Sequence, residues 1–294
     1  MTDPIPPTRL FSPAREDAEI AAGATSSPQT EDPAYKLAFQ DHQFLLRDDL
    51  RPVRFQLELM KPEVLLDEAR IASTFVIYGS ARIPEPDKAD ALIEAASTDE
   101  QRRIAERLKE KSHFYEEARE LARLASRVGP DKDGNKHFVV CSGGGPSIME
   151  AANRGALDEG AVSVGLNIVL PHEQLPNPYV TPGLSFQFHY FSLRKMHFLI
   201  RARAVAVFPG GFGTFDECFE LLTLIQTGKI KPLPIVMFGR DYWTRVINFD
   251  ALVEEGVISA RDLDLFKFVE TAQEAWSYVC DHYLGTDQMP DCVA

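Results

Sequence analysis

The densest group of chemistry-bearing residues is VAVFPGGFGTFDECFELL, residues 205–222. An apolar run meets a Pro-Gly-Gly turn, and Gly210, Gly211, Phe212, Gly213 and Thr214 lead into a segment carrying Asp216 and Glu217. Glycines leave a concave run of backbone N–H groups suited to an anion, and a helix start adds its positive end. A structural reading competes with this one. Thr214 and Glu217 have the T-x-x-E spacing of a capping box, with Thr214 as N-cap and Glu217 as N3. Yet Gly210, Gly211 and Gly213 are more glycine than a cap needs. Asp216 and Glu217 would repel an anion beside them, so an acid here is better used on another part of a ligand, such as a sugar. Just upstream, Phe191, Met196, Phe198, Leu199 and Ile200 are expected to form the apolar face of a short helix, with Arg194 and Lys195 adjacent at its start. That pair reads either as a solvated basic pair or as a contact for carboxylate or phosphate, which Arg is shaped to grip with two bonds. A second turn, Gly143-Gly144-Gly145 before Pro146, reads equally as a tight turn or as a place where backbone approaches a phosphate or ribose oxygen.

These residues need strands to carry them. STFVIYGSARIP (73–84), HFVVCS (137–142), AVSVGLNIVL (161–170), AVAVF (204–208) and LPIVMF (233–238) are short apolar runs, each followed by a turn or helix. Continuous apolar strands alternating with helices predict a doubly wound α/β fold, a mostly parallel Rossmann-like sheet with helices on both faces. Ligands of such sheets bind where strand ends pass into helices, where Ser80 and both glycine turns fall. Ser97 to Glu100 has capping-box spacing and predicts one long helix running toward Val128, stopped by Gly129-Pro130. The last forty or so residues read as helices closing one edge.

Residues 1–34 have the composition of a disordered tail, 35–70 that of an N-terminal helical extension broken at Pro52 and Pro62, and 71–294 that of a single Rossmann-like domain with C-terminal helices. A net charge of -13 argues against a nucleic-acid partner. No signal peptide or membrane-length apolar run is evident, and Cys141, Cys218, Cys280 and Cys292 lack C-x-x-C spacing, so a cytoplasmic protein with reduced thiols is expected. The seven histidines have no H-x-x-x-H or H-E-x-x-H spacing, so no metal is expected. The glycine turns match neither G-x-G-x-x-G nor a Walker loop, and no G-x-S-x-G elbow occurs.

PGGFGTFDE (209–217), preceded by Arg194-Lys195, resembles the P-G-G-x-G-T-x-x-E motif of the LOG (Lonely Guy) family and its upstream Arg-Lys pair. FVIYGSARIP and GGGPSIMEAANRGA resemble that family's first strand and second glycine motif, so the resemblance spans roughly residues 71–240. Ser147 and Glu150, where compact members often have glycine, His197, and the extended flanks resemble the longer bacterial branch. The family was long labelled lysine decarboxylase, but its characterised members cleave the N-glycosidic bond of purine nucleoside 5'-monophosphates, including cytokinin forms. The resemblance therefore implies a nucleotide 5'-monophosphate nucleosidase acting on AMP or a related nucleotide, with no cofactor and with Arg194 and Glu217 catalytic. It implies a substrate-binding set of Ser80, Gly143, Gly144, Gly145, Lys195, Gly210, Gly211, Phe212, Gly213, Thr214 and Asp216, with Glu173 and Thr223 as further candidates. It also implies a homodimer or larger homo-oligomer. A nucleotide-binding or carrier protein on the same fold is the alternative; it would not need both Arg194 and Glu217.

Overall fold

Two runs of β-branched and aromatic residues, β1 (Thr74–Tyr78) and β6 (Ile235–Phe238), are buried along their whole length. Strands apolar on both faces must be covered on both, which favours a parallel sheet crossed by helices. The computed structural model of the chain describes residues 11–171 and 175–284 and has this architecture. The remaining strands are β2 (Val139–Ser142), β3 (Val164–Ile168), β4 (Ser185–Phe188), β5 (Ala202–Val207) and β7 (Lys267–Val269). Among the described residues the seven form one all-parallel sheet, ordered β4-β3-β2-β1-β5-β6-β7. The fold is therefore Rossmann-like α/β. The chain winds outward from β1 to β4 and returns to β5 on the other side of β1, so the order reverses at β1. Register aligns Ile77 with Ser142 and Tyr78 with Val207, setting the carboxyl ends of β1, β2 and β5 side by side.

Residues on one face of the sheet, including Phe75, Ile77, Val140, Ala204 and Val236, pack with α7 (His113–Ser126), α8 (Ile148–Asp158) and α13 (Ala272–Tyr283). Alternation turns Val76 and Tyr78 to the opposite face, where Tyr78 meets Phe198 edge-on at 5.0 Å. That face carries α9 (Phe191–Ile200) and α10 (Phe212–Gln226). The other helices of this part are α5 (Pro86–Glu94), α6 (Asp99–Lys109), α11 (Arg240–Val246) and α12 (Phe249–Glu254).

Contacts divide the chain into Met1–Leu57 and Glu58–Ala294. The first unit includes α1 (Ala14–Ala22), α2 (Pro28–Glu31) and α3 (His42–Leu45), none of which contains a buried residue. A longer helix, α4 (Arg51–Glu68), continues through both prolines expected to break it. Pro52 lies in the first turn, where no intrahelical N–H is needed. Pro62 does sacrifice a helical hydrogen bond, but it is buried together with Leu66, and that burial holds the helix together.

Three further expectations are corrected. Residues 99–126 form two helices, because the Ser112 hydroxyl and N–H both bond to Lys109 O, at 2.8 and 3.0 Å, and end the first. The expected box is displaced by one residue: Thr98 accepts from Gln101 N at 3.1 Å while the Gln101 side chain accepts from Ser97 N at 2.8 Å. The C-terminal region includes β7 as well as helices, its Phe268 packed on Phe266 at 5.3 Å.

One buried polar cluster ties these layers together. Asn153 of α8 is fully buried, accepts from Ser142 Oγ at 2.7 Å and Asn177 Nδ2 at 2.9 Å, and donates to Ser163 Oγ at 3.0 Å. Replacing it strands several polar atoms away from water. Asn153→Ala is expected to lower unfolding free energy by about 2–4 kcal/mol in urea titrations.

Candidate functional site

Three turns leave the carboxyl ends of β1, β2 and β5, and Ser80 joins them. Its N–H donates to Pro209 O at 3.1 Å, and its carbonyl accepts from Ile148 N at 3.3 Å at the start of α8. The Gly143–Gly145 turn is held by Asn177, whose N–H donates to Gly144 O at 2.8 Å and whose Nδ2 donates to Gly145 O at 3.0 Å. Gly144 has φ of +72°, and a Cβ there would lie 2.5 Å from Asn167 Oδ1, so both backbone and space demand glycine.

Into this crevice α9 carries Arg194. The expected apolar face of α9 is corrected: Leu193, Arg194, His197 and Phe198 are buried, whereas Phe191, Met196 and Ile200 are exposed. The reason is that the Arg194 head group has partners inside. Its Nε donates to Leu166 O at 2.6 Å, its Nη1 donates to Glu217 Oε1 at 3.2 Å, and its guanidinium lies 5.1 Å from the Phe198 ring centroid. Gly143 makes room for it, since a Cβ there would come within 2.6 Å of Arg194 Nη2.

Glu217 meets Arg194 from α10. The expected capping box is absent, because the helix begins at Phe212 with Gly211 as its N-cap. Gly211 is extended and its carbonyl accepts from Phe215 N at 3.0 Å, so Thr214 and Glu217 already lie inside the helix. Thr214 is buried against Gly210, where a Cβ would fall 2.1 Å from Thr214 Oγ1. The first N–H groups of an α-helix have no intrahelical acceptor; here they belong to Phe212, Gly213 and Thr214. Gly211 and Gly213 border open space, and Phe212 is 92% exposed.

Burial raises the Glu217 carboxyl to about 7, with Asp216 and Glu220 adding to the rise and Arg194 and Lys195 opposing it. The side chains of Arg194 and Glu217 retain only 10% and 13% exposure. Lys195 lies between Asp216 and Glu220 at 3.1 and 3.2 Å; partial burial works against its charge, but those bonds outweigh it and raise its pKa. Beneath the pair, burial holds the Tyr78 hydroxyl and Cys141 thiol well above their ordinary ranges, and both remain neutral.

Thus Ser80, Gly143, Gly144, Gly145, Arg194, Lys195, Gly210, Gly211, Phe212, Gly213, Thr214, Asp216 and Glu217 lie on the converging turns or the two helices beside them. Thr223 does not join the Arg194–Glu217 pair; its hydroxyl donates to Phe219 O of its own helix at 2.7 Å. Glu173 lies outside the described residues. Asn177, Asn153, Ser142 and Tyr242, which hold the turns through hydrogen bonds, are absent from the sequence-based set. Asn177 lies in LPNPY, which reads as an ordinary turn, and no spacing rule links it to Gly144.

The family described as "possible lysine decarboxylase" matches residues 149–279. The probable cytokinin riboside 5'-monophosphate phosphoribohydrolase LOGL3 of Oryza sativa is 30% identical over 46% of this chain and 64% of its own length. The cytokinin riboside 5'-monophosphate phosphoribohydrolase LOG3 of Arabidopsis thaliana is 28% identical over 46% of this chain and 63% of its own. The chain thus spans about three fifths of the length of the curated relatives it matches. Among solved structures, the molybdenum cofactor carrier protein of Chlamydomonas reinhardtii is 15% identical, with a TM-score of 0.40, over 71% of this chain and 97% of its own. Over a little under half of its length the chain is thus similar to the LOG/lysine decarboxylase-like family and, distantly, to the cytokinin phosphoribohydrolases. Among the described residues, no helix is long and apolar enough to cross a membrane.

The raised Glu217 pKa has a measurable consequence. The folded chain binds this proton more tightly than the unfolded chain, so the stability it contributes is present below the ordinary value of 4.5 and lost as pH rises through about 7. Glu217→Gln has no such proton to lose. Its stability relative to the parent chain is expected to climb by on the order of 3 kcal/mol between pH 4.5 and 8, read by denaturant unfolding at several pH values.

Proposed function

We propose that this chain hydrolyses the N-glycosidic bond of purine nucleoside 5'-monophosphates, AMP or a cytokinin riboside monophosphate, to free base and ribose 5-phosphate. The observation that carries this reading is the buried Arg194–Glu217 pair beside the open start of α10. A protein that only holds a nucleotide gains little from burying a carboxyl whose proton exchanges near neutrality.

The reaction breaks the C1'–N9 bond and passes through an oxocarbenium-like sugar. The N–H groups at the start of α10 bind the 5'-phosphate, an anion suited to a helix N-terminus. This leaves Glu217, one turn further along, to face the ribose. As a carboxylate it stabilises the positive sugar and accepts a proton from the water whose oxygen bonds to C1'. Arg194 orients Glu217 and donates a hydrogen bond to the departing base, which takes up through solvent the proton that Glu217 then releases, so that the base leaves protonated and the carboxylate is restored. Lys195, bracketed by Asp216 and Glu220, supports the helix start and tunes Glu217.

Incubation with a panel of nucleoside monophosphates, with chromatography of the products, tests the reading. Adenine and ribose 5-phosphate are expected from AMP, with release falling at least about 100-fold in Glu217→Gln and Arg194→Ala while AMP binding persists. Binding without base release from any member of the panel would favour the carrier alternative and sink the enzyme.

The pH profile adds a second check. With Glu217 working as the carboxylate, turnover is expected to fall as pH drops through about 7. Lys195→Met removes a charge that favours the carboxylate, and is expected to move that acid limb upward.

A further inference from the structure

The two glycine turns are secured in the same way, by donors that bond to their carbonyls. Asn177 takes Gly144 O and Gly145 O, and Ser80 N takes Pro209 O. The fourth grip comes from Tyr242 of α11, whose hydroxyl donates to Gly210 O. Gly210 is the residue against which Thr214 closes, and it immediately precedes the N-cap of α10. A peptide unit is planar, so fixing a carbonyl on one side fixes the following N–H on the other. The Gly210 carbonyl therefore determines where the Gly211 N–H points, at the turn that opens onto the start of α10.

Tyr242 is well placed to do this rigidly. Its ring packs edge-on against Trp243 at 5.1 Å, and Trp243 is fully buried with its Nε1 donating to Phe238 O at 2.8 Å. Partial burial raises the Tyr242 pKa, which keeps the hydroxyl a donor at neutral pH. Tyr242 thus connects the start of α11, just after β6, to the turn after β5.

We infer that Tyr242 is a positioning residue for the phosphate end of the substrate: its bond to Gly210 O sets the direction of the Gly211 N–H, at the N-cap of α10. The inference rests on the proposed function and adds a residue that touches no substrate atom.

Tyr242→Phe removes the hydroxyl and keeps the ring. In the full chain, KM for AMP is expected to rise about five- to tenfold with kcat within about twofold, as expected for one lost hydrogen bond acting on binding. Calorimetry on the same variant should show weaker AMP binding and unchanged adenosine binding, because only AMP carries the phosphate. The melting temperature should stay within a few degrees of the parent chain. An unchanged KM, or equal losses for AMP and adenosine, overturns the inference even where the parent chain is fully active. A parent chain that neither binds nor hydrolyses AMP removes the proposed function itself, and the inference with it.

Discussion

The site depends on keeping one guanidinium buried. Removing Arg194 from water is costly unless its donors are met, and the fold meets them with a strand carbonyl at Leu166, a carboxylate at Glu217 and the face of Phe198. Each partner comes from a different element, so α9, β3 and α10 must all be in place before the charge is tolerated. Gly143 follows from the same requirement, since any side chain there would collide with the guanidinium. The doubly wound topology supplies the rest by bringing the ends of β1, β2 and β5 into one row beside the pair.

Electrostatics then separates the two acids. Asp216 is half exposed and pairs with Lys195, whereas Glu217, one residue later on the helix, is buried and meets Arg194. Burial raises the Glu217 pKa toward neutrality while Arg194 prevents it from rising further. The carboxyl can therefore exchange a proton in the physiological range. A glycosidic cleavage in which water is deprotonated as positive charge develops on a sugar makes use of such a group.

Much of this was legible in the sequence. The five strands recognised as apolar runs all exist, because continuous β-branched and aromatic stretches bounded by glycine have few alternatives. β4 was missed because its burial alternates and its core is only SFQF, and β7 because KFV is three residues long. The Arg194–Glu217 partnership was accessible through motif resemblance alone. Hydropathy placed Arg194 at the solvated start of a helix, whereas its actual environment is set by residues 28 and 23 positions away in the chain. The capping reading of Thr214 and Glu217 failed because Gly211 adopts an extended backbone and starts the helix earlier. Residues that bond to the carbonyls of the turns, such as Asn177 and Tyr242, leave no local signature, since their partners are fixed by tertiary packing.

The most direct test of the central claim is hydrolysis of AMP in water enriched in oxygen-18, with mass analysis of both products. The account predicts adenine free of label and ribose 5-phosphate carrying one labelled oxygen at C1, with the phosphate unlabelled. Label appearing in inorganic phosphate, with adenosine as the co-product, or no labelled product while AMP remains bound, would contradict it.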